Sequence, residues 1–286
     1  MTPYANKQRS ISMSTNMLSW LCAGLLAATV AAPAQAAQTI TINGSTTVLP
    51  VMQKAGEAFM ASHPGVNLVI SGGGSGNGIK ALNDGLCDIA MSSRDMKDKE
   101  KEQGAAKGVQ AVRVPVALDA LVPMVHPENK VKDLSSAVLR DIYSGKITNW
   151  KAVGGADAPI VVVSRDSSSG TFETWNELIM HKERVMPAAL LQASNGAVVQ
   201  AVSKNKNAIG YIGFGYLGKN LKALSVDGKV ASAQSAADGS WPIARELYLF
   251  LNGEAKGDIK TLIDFMLDPQ KGQKQVQQVG YIPLKK

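Results

Sequence analysis

Four short stretches of the 286-residue chain combine hydroxyl side chains with glycine or arginine, and each sits between an apolar run and a helical pattern. They are residues 44–47 (GSTT), 71–78 (SGGGSGNG), 92–94 (SSR) and 165–171 (RDSSSGT). The chemistry within reach of such stretches is the holding of an anion. A helix start leaves backbone N–H groups unpaired and carries partial positive charge. Serine and threonine add donors that rotate to fit, glycine admits close backbone approach, and a guanidinium offers an oxyanion a two-pronged contact. Taken singly, each Ser or Thr is explained as a helix N-cap. Four such loops in one chain, one of them opening on Arg165, point beyond capping to an anion site.

Other chemistries fail on spacing. The glycines of residues 71–78 do not fit G-x-G-x-x-G, and Ile79 stands where a Walker loop needs lysine. The hydrolase elbow G-x-S-x-G is absent around Ser167, Ser168 and Ser169, where serines occupy the glycine places. The histidines are His63, His126 and His181, the first two directly before prolines, and all three read as surface or structural. Cys87 reads as a small buried hydrophobe. These few scattered groups give zinc no support, so neither metal nor cofactor is expected. No carboxylate pair stands out as an acid/base couple, and no enzyme is expected. Without a basic stripe or an aromatic platform, nucleic acid is not an expected partner. Trp150, Trp175 and Trp241 are assigned to the core.

The elements that must position the four loops follow a strand–loop–helix rhythm, which argues for an α/β fold with a mostly parallel sheet. In such sheets the loops at the carboxyl ends of the strands lie together. Residues 109–129 break the rhythm with two extended apolar runs around Pro115 and Asp119, and residues 244–252 (ARELYLFLN) form another long extended run. Two crossings between two α/β regions suggest a hinged two-lobe binder, with the last ~40 residues returning to the first lobe. The expected division is residues 37–118 plus 247–286 for lobe 1 and 119–246 for lobe 2.

Residues 1–36 read as a secretory signal peptide. Lys7 and Arg9 precede the apolar run 17–32, and Ala34-Gln35-Ala36 has the shape of a cleavage site. Cleavage after Ala36 is expected, which gives an exported, periplasmic protein. It lowers the net charge from +7 to +5, a mild excess that suits attraction of anions. The leader removes Cys22 and leaves Cys87 alone, so no internal disulfide can form.

The motifs INGSTTVLP, SGGGSGNGIKAL, DIAMSSR, DIYSGKITNW, SRDSSSGTF and AIGYIGFGY, in that order, resemble those of the phosphate-binding periplasmic component of the high-affinity phosphate ABC transporter. The resemblance spans nearly all of residues 38–283. It implies a type II periplasmic binding protein fold, with inorganic phosphate held between two α/β lobes joined by a two-crossing hinge. It also implies delivery to the membrane permease subunits of an ABC transporter, and a monomer is expected. It places Thr46, Thr47 and Ser75 from one lobe and Arg165, Ser169, Gly170 and Thr171 from the other on the anion. Well-known members carry an aspartate where this chain has Ser93, so Ser93 joins the expected set in its place. Arg94 either adds a second positive charge or pairs with Asp95. A family aspartate that braces the arginine falls at Ser167, leaving Asp166 or a distant residue to replace it. The missing aspartate at Ser93 keeps open a receptor for sulfate, molybdate or tungstate; a separate and less favoured alternative is an exported phosphatase that binds phosphate as product.

Overall fold

The computed structural model describes residues 38–284, so the expected leader and its cleavage site lie outside the described residues. The chain opens with β1 (Gln38–Gly44), α1 (Leu49–Ser62), β2 (Val66–Gly72), α2 (Ser75–Asn83), β3 (Ile89–Ser92) and α3 (Asp98–Ala105). A long strand, β4 (Ala111–Val125), leads to β5 (Asp133–Leu134), α4 (Ser136–Ser144), β6 (Val161–Arg165) and α5 (Gly170–Leu178). Next come β7 (Leu190–Gln192), α6 (Asn195–Ser203), β8 (Ala208–Gly213), β9 (Lys222–Ala223), β10 (Ser225–Val226) and α7 (Ala233–Ala237). A second long strand, β11 (Ala244–Asn252), precedes α8 (Gly257–Leu267) and α9 (Gly272–Gln278).

The main sheet runs β2-β1-β3-β11-β4-β8-β6-β7, with β9 also on β4. Its outer parts are parallel, as the strand–helix alternation requires: β1 with β2 and β3, and β6 with β7 and β8. Its middle is antiparallel, because β4 runs out and β11 runs back beside it. The mostly parallel sheet expected from the sequence is therefore a mixed one. The two extended runs read around Pro115 and Asp119 form one strand of 15 residues. The register slips opposite Leu247 and Tyr248, where Pro115 lacks the N–H that a regular ladder needs.

Two principal apolar clusters flank this crossing. The first gathers Ile40, Ile42, Met52 and Phe59 with Val116, Ala117, Leu247 and Leu249, and with Leu262, Met266 and Val276 of α8 and α9. The second gathers Ala120, Leu121, Val122, Ile142, Tyr143, Trp150, Trp175, Ile209, Tyr211 and Trp241. Along β4 the side chains change cluster between Ala117 and Ala120. The three tryptophans are buried, as assigned, and Trp175 stacks on Tyr211 with ring centroids 4.4 Å apart. Cys87 is buried, and desolvation pushes its thiol up to about 11, which disfavours the thiolate.

Leu249 is fully buried where β11 meets the first cluster. Leu249→Ala should lower the unfolding free energy by about 3 kcal/mol in a urea titration. A loss below about 1 kcal/mol would mean that this packing is not as described.

Candidate functional site

The strand ends and helix starts bring the four loops to one place. Thr46 and Thr47 follow β1, Ser75 opens α2, Ser93 follows β3, Arg165 ends β6, and Gly170 and Thr171 open α5. Thr46, Thr47, Ser75, Ser93, Arg165, Ser169 and Thr171 are all buried. Their side chains meet across the sequence. The Thr47 and Thr171 hydroxyls lie 2.9 Å apart, and Arg165 Nη2 donates to Thr46 Oγ1 at 3.4 Å. Ser75 Oγ lies 3.3 Å from Ser93 Oγ and accepts the Ser93 N–H at 3.0 Å. Gly76 N–H donates to the Ser168 carbonyl at 2.9 Å. Gly170 is a point of close approach: a Cβ there would stand 2.4 Å from Ser75 Oγ and 2.7 Å from Ser93 Oγ. Ser169 has a plainer part, since its hydroxyl accepts the Phe172 N–H and caps α5.

Arg165 is held in place from the second half of the chain. Its Nε donates to the Gln192 carbonyl at 2.9 Å and its Nη2 to the Ala193 carbonyl at 3.0 Å, while Nη1 is buried and has no partner. Asp166 Oδ2 is 3.9 Å from Nη2, so the brace is carbonyl oxygen at the end of β7 more than a carboxylate. Burial pulls the Arg165 pKa down and Asp166 pulls it up, yet a guanidinium stays charged throughout the physiological range. The Tyr211 hydroxyl contacts Ser164 Oγ and accepts the Arg165 N–H, and burial pushes its pKa up to about 12.

Arg94 departs from the expected group. Its guanidinium makes a two-pronged contact with Glu100, both bonds 2.7 Å, and its Nη1 also reaches the Asp95 carbonyl. Its Nε lies 3.0 Å from Glu173, at ion-pair distance but out of line for a hydrogen bond. The Asp95 carboxylate instead pairs with Arg113. Arg94 therefore spends its charge on carboxylates beside the site, and neither reading offered by the sequence describes it.

Three residues join the group without having been expected: Asp119 and Asn195, which are buried, and the partly buried Arg245. Arg245 Nη2 lies 3.0 Å from Thr171 Oγ1 and 3.4 Å from Thr47 Oγ1. It is held by Asp119 Oδ2, at 2.8 Å from Nη2 and 3.0 Å from Nε. Asp119 is fully buried, and its other oxygen accepts the Phe214 N–H. Burial pushes the Asp119 carboxyl up, while Arg245 and the Phe214 amide hold it down. Asn195 Nδ2 donates to Thr46 Oγ1 at 3.2 Å and Thr47 Oγ1 at 3.0 Å, and its Oδ1 accepts the Gly213 N–H. The signal for Asp119 and Arg245 was present: each is a charge inside a strand of apolar residues, and they stand opposite each other in the β4–β11 register. Asn195 follows the cap Ser194 and looks like ordinary helix-start chemistry. Arg245 is tied to the buried carboxylate of Asp119, whereas Arg165 has only the partly exposed Asp166 at 3.9 Å and keeps one nitrogen without a partner. Such an arrangement can hold a small oxyanion among hydroxyls and amides.

A family model described as PBP superfamily domain matches residues 29–270. The phosphate-binding protein PstS of Bacillus subtilis is 34% identical over 252 residues, covering 87% of this chain and 82% of that one. The phosphate-binding protein PstS of Borreliella burgdorferi is 32% identical over 258 residues, covering 86% and 90%. A Clostridium perfringens structure, solved with bound phosphate and described as a candidate substrate-binding protein of a phosphate ABC transporter, has a TM-score of 0.82 and 37% identity. It is covered in full, by 87% of this chain.

Asp119 and Arg245 should behave as a unit. Asp119→Asn strands a buried guanidinium and should cost about 3–5 kcal/mol in chemical denaturation. The double replacement Asp119→Leu with Arg245→Met should cost clearly less than the sum of the two single changes. Simple additivity would contradict the pairing.

Proposed function

We propose, for a chain that belongs to the PBP superfamily and within it to the phosphate-binding protein family, that it captures inorganic phosphate outside the cytoplasm and delivers it to the permease of an ABC transporter. It is a binding protein, not an enzyme. One observation carries this reading: Arg165 Nη1 is buried without a protein partner, on a guanidinium whose Nη2 reaches Thr46 Oγ1 across the β4–β11 crossing. A buried cationic donor with nothing to bond is costly, and a phosphate oxygen is the partner that such a donor set suits.

On this reading residues 37–118 with 247–286 and residues 119–246 are lobes that hinge at β4 and β11. Thr46, Thr47, Ser75 and Ser93 approach the anion from the first lobe, and Arg165, Gly170 and Thr171 from the second. Ser169 shapes the start of α5, and Asn195 and Arg245 orient the threonine hydroxyls. Charge-assisted hydrogen bonds contribute roughly 1.5–3 kcal/mol each. Several of them, less the costs of desolvation and closure, reach the ~8 kcal/mol of a micromolar site. Closing removes water and strengthens each bond; opening on the permease releases the ligand. The leader, cleaved after Ala36, takes the chain to the compartment where this exchange occurs, and the protein works as a monomer.

Isothermal titration of the mature protein with phosphate, sulfate and molybdate tests the reading. Phosphate should bind with micromolar or tighter affinity, and Arg165→Ala should weaken it more than about tenfold while the variant stays folded. An unchanged affinity in Arg165→Ala, or heat from sulfate or molybdate and none from phosphate, would overturn it.

A further inference from the structure

Arg94 and the start of α3 form a second charged cluster beside the anion loops, and we propose that Glu173 is a positioning residue whose ion pairs with Arg94 and Lys97 latch the two lobes over the ligand. The inference rests on the two-lobe phosphate reading and goes further, by naming what holds the cleft shut from outside the site.

The first-lobe side of the latch is prebuilt. Arg94 directly follows Ser93, and the fork it makes with Glu100 fixes its guanidinium. Glu100 also accepts the Lys97 N–H at 2.8 Å and so ties down the start of α3. Burial works against the Arg94 charge, but Glu100 and Glu173 outweigh it and raise the Arg94 pKa. The second-lobe side is Glu173 alone, in the first turn of α5, three residues after Gly170. Its Oε2 lies 3.0 Å from Arg94 Nε and 2.9 Å from Lys97 Nζ. Among the described residues, these are the ion pairs that join residues 38–117 to residues 120–243; Arg245–Asp119 belongs to the crossing strands themselves.

Charge balance gives the latch its direction. With the lobes apart, Arg94 and Lys97 face one carboxylate, Glu100, and Glu173 faces water. Closure brings two cations to two carboxylates. The pairing is only partly withdrawn from solvent: the Arg94 and Glu173 side chains are 9% and 15% exposed, and Lys97 is 55% exposed. A cavity of about 380 Å³ lined by Lys97, Asp98, Glu173 and Glu177 gives salt ions access. The latch is therefore screened by salt. Glu173 acts through α5, whose first residues Gly170 and Thr171 must sit against Ser75 and Thr47. An interaction made only after the lobes meet slows their parting more than it speeds their meeting.

Stopped-flow measurement of phosphate binding to the mature protein separates these effects. Glu173→Gln should raise the dissociation rate about threefold to thirtyfold, leave the association rate within about twofold, and leave the thermal unfolding of the unliganded protein unchanged. Raising salt from about 20 mM to about 500 mM should speed dissociation in the wild type and have little effect in Glu173→Gln. Lys97→Gln should act in the same direction with a smaller effect. An unchanged dissociation rate, equal salt dependence in both proteins, or a loss confined to association would overturn the latch. If the wild type binds no phosphate, the proposed function fails by itself, and the latch is then read with whichever of sulfate or molybdate the protein binds. An unchanged dissociation rate of that anion in Glu173→Gln would overturn the inference.

Discussion

A guanidinium taken out of water must find oxygen for its N–H groups, and the burial of Arg165 organises this protein around that requirement. The residue is 1% exposed. Carbonyls of Gln192 and Ala193 take two of its nitrogens and leave Nη1 free. β6 delivers that group, the Tyr211 hydroxyl fixes the backbone behind it, and Gly170, lacking a Cβ, lets Ser75 and Ser93 come close to the start of α5.

The second constraint is that one polypeptide crosses twice between two apolar cores. β4 and β11 must then lie side by side and antiparallel, which puts an otherwise parallel architecture about an antiparallel seam. Asp119 and Arg245 face each other where the side chains of β4 change from one core to the other. A buried ion pair at that position contributes little net stability compared with apolar residues. Its use lies in orientation, because Arg245 reaches Thr47 on one side and Thr171 on the other. The crossing strands and the hydroxyl-rich loops are thus one hydrogen-bonded unit.

Much of this was legible in the chain itself. The four hydroxyl-rich loops carry local signals, glycine and serine between an apolar run and a helix, and the sheet brings them together because each leaves the same end of a strand. What was not legible depends on pairs distant in sequence. Arg245 meets Asp119 across 126 residues, and Asn195 meets Thr47 across 148. A lone Asp or Arg in an apolar strand shows that a partner exists without showing which one. Arg94 misled for the opposite reason. It neighbours Ser93 in sequence, but its long side chain turns toward the carboxylates of α3 and α5. The antiparallel seam was hidden because Pro115 makes one continuous strand look like two.

If Arg165 Nη1 donates to an anion held from both sides, a crystal structure with arsenate, located by its anomalous signal, should reveal it. The anion should lie at hydrogen-bond distance, roughly 2.7–3.0 Å, from Arg165 Nη1, with the Gly170–Thr171 amides and Ser75 completing its shell. An anion bound elsewhere, or one at this place with Arg165 Nη1 turned away, would contradict this.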